Sequence, residues 1–145
     1  MEQPFPMKNV ALLRRVYAII SVILFAIEVA IARGMIGGDF VRASIGDLLV
    51  IALIYFFLRG VFFTPAFATA AFSVLFGFVV EGLQFFHIAD LLGLQKGEVL
   101  YIVIGNTFQV GDFVMYVIGG SFAYWLDVLL LSKVLTGSAR DGSQL

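Results

Sequence analysis

The chain has 145 residues, of which 61% are hydrophobic and 13% are charged, and its mean hydropathy is +1.05. Soluble domains are about 45–50% apolar and about 25% charged, so this composition predicts a single integral membrane domain. The net charge of −1 argues against a nucleic-acid partner, and the absence of cysteine excludes disulfides and thiolate metal sites.

The first predicted element is a membrane-spanning helix over residues 12–33, which has about the 20 residues that a bilayer core requires. Basic residues precede this apolar run and Ala30-Ile31-Ala32 ends it, which is also typical of a cleaved signal peptide. Glu28 lies inside the run and is foreign to the apolar core of a signal peptide. The pattern therefore favours a retained helix.

Three further membrane helices are predicted over residues 45–58, 66–87 and 109–131. Ser44 and Asp47 have the spacing of a capping box and mark the start of the second helix. Gly119, Gly120 and Ala123 give the last helix a small-residue face that permits close packing. The predicted fold class is therefore all-α integral membrane, with four transmembrane helices.

The longest predicted connection, residues 88–106, joins the third and fourth helices. It contains an apolar piece, residues 99–104, that is too short to span a bilayer and predicts an interfacial or re-entrant segment. The membrane domain is predicted to cover residues 1–135, and residues 136–145 form a polar C-terminal tail.

Four spans place both termini on the same side of the membrane. Six of the nine basic residues share that side, so the positive-inside rule predicts cytoplasmic termini. The two halves also resemble each other, because a late Glu is followed in each by Gly-Asp at the start of the next helix. Glu28 with Asp47 then matches Glu81 with Asp112, which predicts two parallel two-helix repeats.

These four carboxylates are predicted to lie at one depth near the outer leaflet. A rise of ~1.5 Å per residue puts Glu28 and Glu81 just inside the outer ends of their helices. Asp47 and Asp112 lie about one turn into the helices that follow. An ionisable residue inside a membrane is a functional-site hypothesis by default. Four ionised acids would repel one another, so the layer requires protonated carboxyls, a metal ion or a cationic head group.

The same residues also have structural interpretations. Asp47 and Asp112 stand near helix N-termini, where the helix dipole favours an acid. Glu81 and Gln84 are one turn apart and would cross-link helices by hydrogen bonds. Arg42 is the predicted built-in cation for Asp47 or Glu81.

Asp127 lies toward the cytoplasmic end of the last helix and is predicted to pair with Arg15, Arg59 or Lys133. The chain contains no Ser/His/Asp triad motif, HExxH zinc motif, P-loop or dinucleotide fingerprint. The sequence therefore does not favour an enzyme, and it leaves catalytic residues, metals and cofactors open.

Several short motifs across the polar layer together resemble a known family. They are Phe40-Val41-Arg42, Gly46-Asp47, Glu81-x-x-Gln84 and Gly105-x-x-Phe108-x-x-Gly111-Asp112-x-x-x-Tyr116-x-x-Gly119. Over residues 13–131 the chain resembles a small bacterial multi-pass membrane family that is catalogued as a domain of unknown function and is similar to VanZ-like proteins. The resemblance implies a four-helix inner-membrane protein of unassigned activity. VanZ-like proteins are associated with glycopeptide (teicoplanin) resistance, which implies a role in the cell envelope.

The leading hypothesis is a bacterial inner-membrane protein that binds an envelope lipid or another amphiphile in a carboxylate-lined pocket near the outer leaflet. The predicted ligand-binding residues are Glu28, Arg42, Asp47, Glu81, Gln84, Asp112 and Tyr116. The alternatives are a small transporter or ion-handling protein that works as a homo-oligomer, a metal-dependent membrane enzyme, and a structural subunit of a larger membrane complex. Membrane lipid is an expected partner in every case.

Overall fold

The computed structural model describes residues 7–105 and 108–141. These residues form six α-helices and a short π-helix, and no strand occurs among them. In chain order the elements are α1 (Met7–Ala32), π1 (Val41–Ile45), α2 (Gly46–Phe62), α3 (Ala66–Phe85), α4 (Ile88–Leu91), α5 (Val99–Ile104) and α6 (Val110–Asp141). The predicted all-helical fold class is confirmed for this part of the chain.

Three of these helices are long and apolar enough to cross a membrane. The spans are Asn9–Ala32 in α1, Ala66–Phe85 in α3 and Val110–Leu131 in α6, so the chain is a multi-pass helical membrane protein. α2 has 17 residues, or about 26 Å of helix, which is shorter than the ~30 Å hydrocarbon core of a bilayer. The fourth predicted span therefore stays a prediction.

α2 begins without the predicted capping box. Ser44 lies inside π1, and Ile45, which directly precedes α2, makes no side-chain capping bond. The N–H of Gly46 instead donates to the carbonyl of Val41, which is the i→i−5 bond of a π-helix. Because the backbone is already helical from Val41 onward, the first turn of α2 needs no cap from Ser44.

α2 is the central helix of the bundle. It packs against α1, α3 and α6, and α3 also packs against α6. At Gly119 in α6, an added Cβ would collide with the backbone of Leu48 in α2. Ala123, one turn further along α6, is completely buried. The small-residue face that the sequence predicts for the last helix therefore faces the bundle interior and allows α2 to approach closely.

The bundle has two chemically different ends. At the end that we call the acidic end, α1 and α3 finish and α2 and α6 begin. At the opposite end, which we call the arginine end, α2 turns into α3 through residues 63–65. The apolar core around Tyr17, Tyr55 and Phe56 includes side chains of α1, α2 and α6.

The remaining differences from the predicted elements lie at the ends of helices. α6 continues past the predicted end at Leu131 as far as Asp141. The apolar piece 99–104 forms α5, which contacts α3 and α4. These contacts hold α5 near the acidic end, and its interfacial or re-entrant location in a membrane stays a prediction.

Candidate functional site

Four carboxyl groups from four helices meet at the acidic end, and we call them the acidic cluster. They are Glu28 of α1, Asp47 of α2, Glu81 of α3 and Asp112 of α6. Asp47 interacts electrostatically with the other three acids, most strongly with Asp112. Acids that are far apart in the sequence thus come together, because α1 and α3 end where α2 and α6 begin.

Glu81 has a hydrogen-bond partner for each of its carboxylate oxygens. Its side chain is completely buried, and Oε1 accepts the backbone N–H of Gln109 at 2.7 Å. Oε2 accepts the hydroxyl of Tyr116 at 3.1 Å. Gln109 directly precedes α6, where the helix dipole favours a negative charge. Glu81 therefore connects the end of α3 to the start of α6.

Glu28 differs from Glu81 because one of its oxygens has no hydrogen-bond partner among the described residues. Oε1 is buried and accepts no hydrogen bond from the described part of the chain. Oε2 faces the start of α2 and lies 3.9 Å from the position that a Cβ on Gly46 would occupy. Buried polar atoms are usually hydrogen-bonded, so an unpartnered carboxylate oxygen is a specific feature that calls for an explanation.

Asp47 and Asp112 lie close enough for a hydrogen bond between their side chains. Asp112 is only 7% exposed, so water cannot surround this pair on all sides. An ionised carboxylate only accepts hydrogen bonds, and a bond between two carboxyls therefore needs a proton on one of them. The pair can hold a proton, or it can be separated and neutralised by a cation.

The other predicted site residues have different surroundings. Gln84 points toward Gly105, where an added Cβ would lie 2.8 Å from its Nε2 atom. Tyr116 joins the acidic cluster through its bond to Glu81. The side chain of Arg42 lies outside the described residues. The role of all these residues in ligand binding stays a prediction.

The arrangement of possible metal ligands can be compared with the needs of a bound cation. Within residues 7–105 and 108–141, no group of three or more His, Cys, Asp or Glu side chains is arranged to hold a metal ion. Divalent cations such as Ca²⁺ and Mg²⁺ need about six or more oxygen ligands close to the ion, some of them from water.

An apolar groove of 540 Å³ lies between α1, α2 and α3, and we call it the upper groove. Its lining residues are Ser21, Val22, Phe25, Leu53, Ile54, Phe57, Leu58, Phe72 and Phe76. Glu28 lies two turns beyond Ser21 on α1, and Asp47 lies two turns before Ile54 on α2. This i, i+7 spacing puts each acid on nearly the same helix face as the groove residue, ~10 Å further along. The acids therefore stand beyond the groove toward the acidic end and do not line it.

The arginine end contains a buried network whose tyrosines the sequence analysis missed. Asp127 forms an ion pair with Arg59 at 2.7 Å, which confirms one of the three predicted pairings. Its carboxylate also accepts the hydroxyls of Tyr17 and Tyr55, the latter at 2.5 Å. Tyr17 and Tyr55 have apolar neighbours in the sequence. The one signal that they face inward is that each lies four residues, about one helical turn, after a buried residue, Leu13 or Ile51. Since its partners all belong to the chain, the network is a connection between α1, α2 and α6.

A family model matches a large part of this chain. The family described as "Protein of unknown function (DUF2809)" matches residues 36–120, which is more than half of the chain. The matched segment contains Asp47, Glu81, Asp112 and Tyr116, whereas Glu28 and Asp127 lie outside it. No curated protein and no solved structure matches the chain.

Proposed function

This chain belongs to the DUF2809 family of proteins of unknown function, and from that premise we propose that it binds an amphiphile with a cationic head group. The head group would contact Glu28 and Asp47, and the alkyl chain would lie in the upper groove. The observation that carries the proposal is the buried Oε1 of Glu28, which lies near Asp47 and accepts no hydrogen bond from the described residues. A primary ammonium group has three N–H donors and a positive charge. It would therefore donate a hydrogen bond to Oε1 of Glu28 and neutralise the neighbouring carboxylates.

The upper groove supports the apolar part of the proposal. Its volume of 540 Å³ is within the range of about 300–1,000 Å³ that is typical of small-molecule sites. The one hydroxyl that lines it, on Ser21, donates to the Tyr17 carbonyl of its own helix at 2.9 Å. The groove therefore offers no unsatisfied polar group, which suits an alkyl chain.

The proposal includes the membrane in which the protein lies and its orientation there. The distribution of basic residues supports an acidic end in the outer leaflet and cytoplasmic termini, with α2 as a fourth span. A bacterial inner membrane, and the envelope role that similarity to VanZ-like proteins would imply, fit an amphiphile that is drawn from the envelope. An oligomer or a larger complex is compatible with this site.

The test uses the full chain in maltoside micelles and three probes with the same alkyl chain: hexadecylamine, hexadecanol and hexadecyl sulfate. Native mass spectrometry measures the bound fraction at equal mole fraction in the micelle. We expect one hexadecylamine to bind, with about tenfold or greater preference over hexadecanol, because a hydrogen bond to a charged group contributes about 1.5–3 kcal/mol. The sulfate should bind least.

Glu28→Gln tests which acid holds the head group, and Glu98→Gln is its matched control. The control removes the same charge from an exposed residue whose carboxylate accepts the N–H of Gln95 at 3.1 Å. We expect Glu28→Gln to reduce hexadecylamine binding about tenfold and Glu98→Gln to leave it unchanged. Equal binding of hexadecylamine and hexadecanol by the unmodified protein would refute the proposed function.

Cation handling is the second candidate, and the Asp47–Asp112 pair favours it. A carboxyl pair that shares one proton can exchange that proton for a cation without an amphiphile. Thermal stabilisation of the protein by a small cation without an alkyl chain, such as methylammonium, that Asp112→Asn abolishes and Glu28→Gln leaves unchanged would favour this candidate.

A further inference from the structure

A second apolar groove continues the upper groove toward the arginine end, and we call it the lower groove. It has a volume of 350 Å³ and is lined by Leu58, Phe62, Thr64, Pro65, Ala68, Thr69 and Phe72. Leu58 and Phe72 line both grooves. The two volumes are therefore neighbouring parts of one apolar track along α2 and α3.

The lower groove ends at a turn that is held by hydrogen bonds. Thr64 and Thr69 share a hydrogen bond of 2.6 Å between their hydroxyl oxygens. The guanidinium of Arg59 donates to the carbonyl of Thr64, and the same guanidinium forms the buried ion pair with Asp127. Pro65, the N-cap residue of α3, fixes the backbone at this point. The turn is thus connected to the buried network and cannot easily move to admit a longer ligand.

We infer that the two grooves hold one long alkyl chain and select its length, with the turn at Thr64 and Pro65 as the floor. This inference rests on the proposed function and adds the ligand's chain length to it. On α2, Asp47 is 11 residues from Leu58 and 15 from Phe62, which correspond to about 16 Å and about 22 Å of helix.

An extended alkyl chain has C–C bonds of about 1.5 Å and advances about 1.25 Å per carbon. The distance from Asp47 to the far end of the upper groove then corresponds to about 13 carbons, and the distance to the far end of the lower groove corresponds to about 18. The second distance exceeds half of the ~30 Å hydrocarbon core, so the chain would reach past the bilayer midplane. The preferred ligand class is a cationic amphiphile with one unbranched chain of about 16–18 carbons.

Competition among alkylamines tests the chain length. The full-length protein is incubated with dodecylamine, tetradecylamine, hexadecylamine, octadecylamine and docosylamine at equal mole fractions in maltoside micelles. Native mass spectrometry then reports the bound fraction of each. We expect binding to rise up to octadecylamine and to fall at least threefold for docosylamine, because its last carbons meet the floor.

Ala68→Phe narrows the lower groove from its exposed wall on α3. We expect it to shift the optimum to dodecylamine or tetradecylamine and to reduce octadecylamine binding about tenfold, with dodecylamine binding unchanged. Ala71→Phe is the matched control, since Ala71 is three residues further along α3 and lines a different groove against α6. It should keep the octadecylamine optimum.

The outcomes separate this inference from the proposed function. If no alkylamine binds better than its alcohol, the proposed function fails first. If the amines bind but docosylamine binds as well as octadecylamine, the inference is overturned and the proposed function stands. An unchanged chain-length optimum in folded Ala68→Phe, judged by an unaltered circular dichroism spectrum, also overturns the inference.

Discussion

Replacing Asp127 by Asn is predicted to destabilise the bundle strongly. Asp127 is completely buried, and its carboxylate accepts bonds from Arg59, Tyr17 and Tyr55. Asn has the same shape, but it carries no charge and presents an N–H₂ group to at least one of these donors. Arg59, which is 4% exposed, would then be a buried cation without its counter-ion.

The magnitude follows from these contacts. Breaking a buried ion pair by removal of one partner costs about 3–5 kcal/mol, because the remaining charge stays desolvated. Tyr17→Phe removes one donor to Asp127, which keeps Tyr55 and Arg59, and one acceptor of the Arg59 guanidinium. The Tyr17 change is therefore expected to cost about 1–3 kcal/mol, for two hydrogen bonds of about 0.5–1.5 kcal/mol each. The two variants therefore give two different losses of unfolding free energy in the same buried network.

The assay is reversible unfolding in mixed micelles with increasing sodium dodecyl sulfate, followed by circular dichroism. Trp125 is the single tryptophan of the chain and gives a second, fluorescent signal from α6. Asp39→Asn is the control, since Asp39 is an exposed acid in the connection before π1, and the change should cost less than about 0.5 kcal/mol. If Asp127→Asn costs no more than Tyr17→Phe, the buried ion pair does not hold the arginine end together.

Two further predictions concern the acidic end and the orientation of the chain. Glu81→Gln should cost about 1 kcal/mol in the same unfolding assay, because the amide oxygen still accepts one hydrogen bond and the Tyr116 hydroxyl can rotate. Glu81→Leu should cost at least 1 kcal/mol more, and equal costs would contradict a hydrogen-bonding role. Cysteines placed by Gly38→Cys and Ser138→Cys should react with an impermeant maleimide from opposite sides of the membrane. Labelling of both from outside intact cells would refute cytoplasmic termini.

The composition and the lengths of the apolar runs determined the class of this protein. A run of about 20 apolar residues can satisfy its backbone in lipid only as a helix, so the chain forms helices wherever such runs occur. This reasoning anticipated α1, α3 and most of α6 from the sequence alone. Helix rise also anticipated that Glu28, Asp47, Glu81 and Asp112 belong to the same end, since depth depends only on position along each helix.

Tertiary structure decided which way each polar side chain turns and which partner it meets. In a soluble helix a polar face marks the outside, but a lipid-facing helix is apolar all round and its rotation is not encoded in a simple pattern. For this reason the sequence predicted a shared direction for Glu81 and Gln84 but not their neighbours: Gln84 packs against Gly105, and Glu81 meets Gln109 and Tyr116.

The same physical reason explains why Glu81 and Glu28 differ in the hydrogen bonds that the described residues give them. Glu28 and Glu81 occupy matching places in the sequence pattern, each shortly before the end of its helix. Glu81 meets a backbone N–H and a tyrosine hydroxyl, whereas Oε1 of Glu28 meets no donor in the described residues. Length and hydropathy determined that both acids lie near the acidic end, and only the packing of neighbouring helices decided which of them is satisfied within the chain.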